Sequence, residues 1–163
     1  MVEERAAAVD ELVMKLQPGT FLRIPLRDGT FGYGRVLRDA DMVALYEHRT
    51  TAPSADLESI AACPVLFSVS VRQKGLTRWT LIGQRELDAR LSKPIVQFMQ
   101  DVADPKRCTI FDSSGARRAA TPEECVGLER AAVWDAAHVA ERLLDAFEGR
   151  VNAAEQHLRV RLS

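Results

Sequence analysis

Residues 19–37, GTFLRIPLRDGTFGYGRVL, constrain the fold of this chain most, because they have the pattern of two strands joined by a tight turn. Before the turn, apolar residues alternate with arginine and proline, which is the period of two expected of a half-buried strand. Asp28 and Gly29 then form a dipeptide that accepts the positive φ angles of a two-residue type I′ turn. A similar alternation follows the turn. The segment therefore predicts a β-hairpin at residues 20–38.

Glycine occupies alternate positions of the returning strand, at Gly32 and Gly34, and leaves one face of that strand without side chains. A bare strand face indicates close approach of another protein element or of a ligand. The spacing of Gly29, Gly32 and Gly34 is G-x-x-G-x-G inside a strand, unlike the phosphate-binding G-x-G-x-x-G between a strand and a helix. The sequence therefore favours structural glycines that allow close packing.

A second hairpin is predicted further along the chain. Residues 65–71, VLFSVSV, alternate as a strand, and residues 77–83, TRWTLIG, follow a Lys-Gly turn. These two runs are expected to pair and to form a hairpin at 65–83. An apolar run at residues 42–46 is interpreted as a further strand.

A long helix is predicted at residues 122–148. Thr121 and Glu124 form a capping box, an apolar stripe recurs every three or four residues, and Gly149 follows as a stop. The fold class predicted from these elements is α+β. It consists of a curved, mainly antiparallel sheet of about five to seven strands, packed against the helix.

The chain of 163 residues is predicted to form one domain, 1–163, with additions at both ends. Residues 3–16 have the pattern of a short amphipathic helix. Residues 150–163 are a tail, in which the pattern of Ala153 to Leu162 fits a helical turn or a strand. Residues 95–107 are likewise open between helix and strand.

Composition narrows the function classes. The 22 basic and 23 acidic residues nearly cancel, which argues against a nucleic-acid partner. The N-terminus lacks the pattern of a signal peptide, and no run of about 18 apolar residues is present, so a cytoplasmic protein without a membrane span is expected. Neither the cysteines (Cys63, Cys108 and Cys125) nor the histidines have metal-ligand spacing. We therefore predict no metal, no cofactor and no catalytic residues.

Four motifs follow one another along the chain. They are IPLRDGTFGYGRVL at 24–37, VLFSVSV at 65–71, WTLIG at 79–83 and TPEECVGLERAAVWDAAHVAERLLD at 121–145. In order and spacing they resemble the Immunity protein 26 family of bacterial polymorphic-toxin systems. The resemblance implies a small cytoplasmic protein, encoded beside a toxin, that binds this cognate toxin and blocks it without enzymatic activity. It leaves the oligomeric state open.

The residues that stand out within these motifs are interpreted as mainly structural. They are Gly29, Gly32, Gly34, Trp79, Gly83, Glu129 and Trp134. For Trp134, packing under a neighbouring loop with its indole N–H hydrogen-bonded is favoured over a partner-facing cluster with His138.

If the toxin is a nuclease, as the resemblance implies, its basic cleft is best blocked by an acidic, complementary surface. We expect that surface beside the first hairpin. The candidate partner-binding residues are the acids Asp28, Asp39, Asp41 and Glu47, with Tyr33 and Tyr46 as aromatic anchors. The alternative interpretation is that these acids only keep the protein in solution.

Two other functions compete with toxin neutralisation. A small curved sheet is also a common nucleic-acid-binding architecture, although the near-zero net charge counts against it. A small hydrolase with its site at the open hairpin is the third hypothesis, and only the bare glycine strand supports it.

Overall fold

The structure is a computed structural model that describes residues 16–39 and 41–162. Their fold is α+β, with two mainly antiparallel sheets of six and four strands, so the predicted fold class is confirmed. The helix predicted at residues 3–16 lies outside the described residues, apart from Leu16, which is buried in the core.

The first sheet has six strands. They are β1 (Thr20–Pro25), β2 (Phe31–Val36), β3 (Met42–Tyr46), β4 (Val65–Val71), β5 (Thr80–Gln84) and β10 (Val133–Trp134). Their order across the sheet is β10-β4-β3-β2-β1-β5, and only the β10–β4 pair is parallel.

The second sheet, which the sequence did not predict as a separate unit, has four strands. They are β6 (Val96–Gln100), β7 (Cys108–Asp112), β8 (Arg117–Ala120) and β9 (Glu129–Arg130), in the order β8-β7-β6-β9. The helices are α1 (Leu57–Ala61), α2 (Gln73–Leu76), α3 (Ala136–Glu148) and α4 (Ala153–Leu158), and Glu123–Cys125 form a 3₁₀ turn. The tail therefore contains a helix and not a strand.

The first hairpin forms as predicted, but its turn is longer. Leu26 N–H donates to the Thr30 carbonyl at 2.9 Å, and Gly29 N–H donates to the Leu26 carbonyl at 3.0 Å, which closes a three-residue loop. Gly29 has a φ of +86°, whereas no described non-glycine residue has a positive φ. A type I′ turn needs two positive φ angles, so that prediction is wrong. The Asp28 carboxylate instead accepts hydrogen bonds from the backbone and side chain of Thr30.

The bare strip of β2 is filled by neighbouring protein elements. A β-carbon added at Gly32 would overlap Leu143 Cδ2 of α3, and one added at Gly34 would lie 2.9 Å from Val43 Cγ1 of β3. The prediction of closely packed glycines is therefore confirmed. The same packing removes the opening on which the hydrolase hypothesis depended.

Gly34→Val is expected to lower the free energy of unfolding by about 1–3 kcal/mol, because the added methyl groups overpack the face shared with Val43. Urea denaturation followed by circular dichroism measures this change. Gly34→Ala, which adds one carbon, should destabilise the protein less. A valine variant as stable as the wild type would contradict the close packing.

The second predicted hairpin is wrong. β4 pairs with β3 and β10, whereas β5 pairs with β1 at the opposite edge of the sheet. The connection between them passes through α2, and its Leu76 and Trp79 are buried in the core. Gly75 lets α2 abut α3, since an added β-carbon would lie 2.7 Å from Ala136 Cβ. The predicted Lys-Gly turn is thus one turn of helix in a crossover connection.

The C-terminal helix is shorter than predicted. Thr121 and Glu124 do form the capping box, with backbone-to-side-chain hydrogen bonds of 3.2 and 3.4 Å, but the turn that they cap ends at Gly127, whose φ is +86°. The chain then adds β9 to β6 and β10 to β4. α3 covers only the 13 residues Ala136–Glu148 and ends at Gly149, as predicted. Long-range strand pairing has overridden the helical periodicity in the first half of the segment.

The core has three parts. α3 and α2 cover one face of the first sheet, α1 and residues 87–95 cover the other, and a smaller cluster around Phe98 lies beneath the second sheet. None of the helices in the described part of the chain is long and apolar enough to span a membrane.

Candidate functional site

The structure buries both tyrosines that were predicted as exposed anchors, so this prediction is wrong. Tyr33 and Tyr46 are each 0% exposed. The Tyr33 hydroxyl lies 2.6 Å from Thr50 Oγ1 and accepts a hydrogen bond from Ser54 N–H. Tyr46 packs against Phe21, and burial raises the pKa of its hydroxyl. The face of β2 and β3 that carries these rings is covered by α1 and the loop before it.

The four acids predicted as partner-binding residues do not form one surface. Asp39 and Asp41 lie at the turn between β2 and β3, whereas Asp28 and Glu47 lie at the opposite end of these strands. A strand rises about 3.3 Å per residue, so the length of β3 separates the two pairs by roughly 16 Å. Asp41 and Glu47 are exposed, and Asp39 is half-buried. Their contact with a partner stays a prediction.

Asp28 has a structural role at the hairpin. Hydrogen bonds from the side chain and backbone of Thr30, with a further contribution from Arg49, lower the pKa of the Asp28 carboxyl to about 2. Arg49 also pairs with Glu148 at 2.8 Å and thereby links the hairpin to the end of α3. The charge of Asp28 is thus already partnered within the protein.

The carboxyl of Asp28 should titrate with a midpoint at about 2 in the folded protein, below its ordinary value of 3.8. Because the folded-state pKa is lowered, the carboxylate stabilises the fold fully above pH 3.8, and this contribution is lost as the pH falls towards 2. NMR titration of the side-chain carboxyl carbon measures the midpoint. A midpoint near 3.8 would contradict the hydrogen-bonded turn.

A groove of about 520 Å³ lies between the N-terminal half of β4, the segment 125–130 and the tail around α4. We call it the inter-sheet groove. Its apolar lining residues are Leu66, Val126, Leu128, Leu158, Val160 and Leu162. Three of them are large and exposed: Leu66 at 36%, Val126 at 60% and Leu162 at 57%. The groove thus combines a concave shape with exposed apolar side chains.

A buried ion pair forms the floor of the inter-sheet groove. Arg142 is 8% exposed, and both of its terminal nitrogens donate to the Glu129 carboxylate. Its guanidinium also lies 3.9 Å from the ring centroid of Phe67 and 5.1 Å from that of Trp134. Such a paired and stacked guanidinium is held rigidly.

Trp134 is 5% exposed and therefore does not present its ring to a partner. Its indole Nε1 has no hydrogen-bond partner among the described residues, so the predicted indole hydrogen bond is not found there. Trp79 is likewise buried, and a β-carbon on Gly83 would lie 2.5 Å from Leu57 Cδ1 of α1. These residues lie within the packing of the fold.

The structure brings together one thiol–imidazole pair that sequence reasoning missed. Cys63 Sγ lies 3.4 Å from His48 Nδ1 and 3.3 Å from the Ser59 carbonyl oxygen, to which the thiol can donate. A separation of 15 residues gave no sequence signal, because the pair forms only when α1 turns the chain back beside β3. Residues 16–39 and 41–162 contain no group of three or more potential metal-ligating side chains.

The other two cysteines are buried together beneath the second sheet. Burial, reinforced by the neighbouring Cys108, raises the pKa of the Cys125 thiol to about 11. A thiol with so high a pKa stays protonated at neutral pH and is a poor nucleophile.

Comparison with known proteins gives one positive finding. A family model described as Immunity protein 26 matches residues 17–109, which is more than half of the chain. The match covers β1 to β6 and the start of β7, whereas the resembling motif at 121–145 lies beyond it. No curated protein and no solved structure matches the chain.

Proposed function

The chain belongs to the Immunity protein 26 family, and from this premise we propose that it binds and neutralises the cognate toxin of a bacterial polymorphic-toxin system. The family match over residues 17–109 is the observation that carries this proposal. Neutralisation takes place in the cytoplasm and depends on covering the toxin, without catalysis by this chain.

Cys63 is the thiol that tests whether a nucleophile takes part in protection, because its sulfur lies 3.4 Å from His48 Nδ1. Cys125 is buried with a raised pKa, and Cys63 is placed to donate its proton to a backbone carbonyl. Cys63→Ser is therefore expected to keep full protection against the toxin, because serine can replace the thiol as a donor to Ser59. Loss of protection in a variant that melts at the wild-type temperature would contradict neutralisation without a role for this thiol.

We also propose that the toxin is a nuclease, as the family resemblance implies, and that its basic cleft is attracted by the acids at the turn between β2 and β3. Asp39 and Asp41 at this turn form no ion pair with another described residue, and neither does Glu47 at the opposite end of β3. Charges of this kind speed diffusional association and have less effect on dissociation.

Replacing Asp39 and Asp41 together by lysine should slow association with the toxin by about tenfold at low salt. The melting temperature should stay near the wild-type value, since Asp41 is exposed and Asp39 half-buried. Stopped-flow mixing at two salt concentrations measures the association rate. The difference in rate between the variant and the wild type should be smaller at high salt, because salt screens the charges. An unchanged association rate would contradict electrostatic attraction at this turn.

The proposed function is tested with the toxin encoded beside the gene for this chain, carrying an inactivating substitution. Isothermal titration calorimetry should give a stoichiometric complex, with a Kd of about 10⁻⁷ M or below, as in antibody–antigen complexes of standard interface size. The absence of a complex at micromolar concentrations would overturn the proposal.

A further inference from the structure

One edge of the first sheet is only partly covered. β4 pairs with β3 at Val65 and from Phe67 to Ser70, with a break in register that leaves Leu66 unmatched, whereas β10 pairs only with Ser70 and Val71. Residues 65–69 therefore have no strand partner on their outer side among the described residues. An uncovered strand edge presents free backbone N–H and C=O groups, which form a template for another strand.

This free edge borders the inter-sheet groove. Leu66 projects from the edge and lines the groove, and Val126 lies on the same lining from the opposite segment. Gly127, which follows Val126 in the chain, faces open space, because an added β-carbon would meet no atom within 4 Å. The groove thus joins an apolar wall, a floor formed by the Arg142–Glu129 ion pair and a strand edge that has no strand partner among the described residues.

The charges around the groove do not balance. Glu129 pairs with Arg142, and Glu155 pairs with Arg159 at 2.9 Å. Arg130 has only neutral partners: its Nε donates to the Leu158 carbonyl at 2.8 Å and its Nη2 to Gln100 Oε1 and the Arg159 carbonyl, each at 3.3 Å. The lining therefore has one excess positive charge, which an acidic group of an occupant would complement.

Most of the groove lining lies outside the region matched by the family model. Of the residues that line it, Leu66 lies inside the region matched by the family model, and the others lie between 125 and 162, beyond that region.

We propose that an extended segment of the cognate toxin adds as a strand to residues 65–69 of β4 and fills the inter-sheet groove. Strand addition supplies affinity through main-chain hydrogen bonds and specificity through pockets for alternate side chains. The occupant has apolar side chains toward Leu66 and Val126 and a carboxylate toward Arg130. This inference rests on the proposed function and names the surface through which it acts.

Hydrogen exchange measured on the whole chain, alone and with the inactivated neighbouring-gene toxin, tests the strand addition. We expect the outward-facing amides of residues 65–69 to exchange at least tenfold more slowly with the toxin bound. Equal exchange in the free and bound protein would overturn the inference. Protection of these amides in the free chain would also overturn the inference in two cases. If removal of residues 2–15 abolishes the protection, the edge holds this chain's own N-terminus. If the protection increases with chain concentration, the edge holds a second copy.

A pair of valine substitutions tests the groove independently. Val126→Glu places a carboxylate on the apolar lining at a side chain that is 60% exposed, and should raise the Kd for the toxin at least tenfold without lowering the melting temperature. Val151→Glu, at a 73% exposed valine that lines neither the groove nor the cavity beside it, is the matched control and should bind like the wild type. Equal binding by both variants would overturn the groove as the docking site, whereas failure of the wild type to bind would overturn the proposed function itself.

Discussion

Arg142→Ala is expected to lower the free energy of unfolding by about 3–5 kcal/mol, the range found when one partner of a buried ion pair is removed. The Arg142 side chain is 10% exposed and that of Glu129 26%, so the remaining carboxylate loses its counter-charge in a place that water reaches poorly. The stacking of the guanidinium on Phe67 and Trp134 is lost in the same variant. Urea denaturation provides the measurement.

Arg150 offers the matched control for this substitution. It pairs with Asp145 just after the same helix, but its side chain is 51% exposed. Arg150→Ala should therefore change the free energy of unfolding by about 1 kcal/mol or less, as surface ion pairs do. If Arg142→Ala destabilised the protein no more than Arg150→Ala, the ion pair at the floor of the groove would not have the structural role described.

Leu143→Ala is expected to destabilise the protein by about 2–5 kcal/mol, because it truncates a fully buried side chain and leaves a cavity in its place. Gly32→Ala in the wild-type background should cost about 1–3 kcal/mol, since the new methyl group overlaps Leu143 Cδ2. In the Leu143→Ala background the same glycine substitution has room and should cost much less. The double-mutant cycle therefore predicts a coupling of about 1 kcal/mol or more.

The coupling distinguishes direct contact between Gly32 and Leu143 from two separate packing effects. Gly34 faces Val43 instead, so Gly34→Ala combined with Leu143→Ala is the control pair and should be close to additive. Additive effects for Gly32 and Leu143 as well would mean that α3 does not approach β2 as closely as the structure places it.

The parts of the fold that were predictable depend on local patterns. The hairpin of β1 and β2 followed from alternation and from the glycine that its turn requires, and the stop of α3 followed from Gly149. The capping box of Thr121 and Glu124 also formed. It did not predict how far the helix extends, because pairing of β9 and β10 with distant strands decides that. The pairing of β5 with β1 likewise depends on the crossover connection through α2. No local sequence pattern indicates which strand β5 will pair with.

The candidate site was less predictable, because it depends on which elements cover which face. Alternation placed Tyr33 on the opposite face of β2 from the two glycines, but nothing in the sequence indicated that α1 covers that face. Asp28 and Asp39 are close in sequence, yet β2 separates them. The pair of Glu129 and Arg142 forms only because β9 and α3, which looked like one helix, are separate elements.

Protection of living cells tests the central claim most directly. Bacteria that express the toxin encoded beside the gene for this chain are plated with and without co-expression of the chain, and surviving colonies are counted. Toxin neutralisation predicts that the wild-type chain restores growth to the level of cells carrying the inactivated toxin, and that an unrelated toxin from the same host still kills. Equal killing with and without the chain, at confirmed expression of both proteins, would contradict its function as an immunity protein.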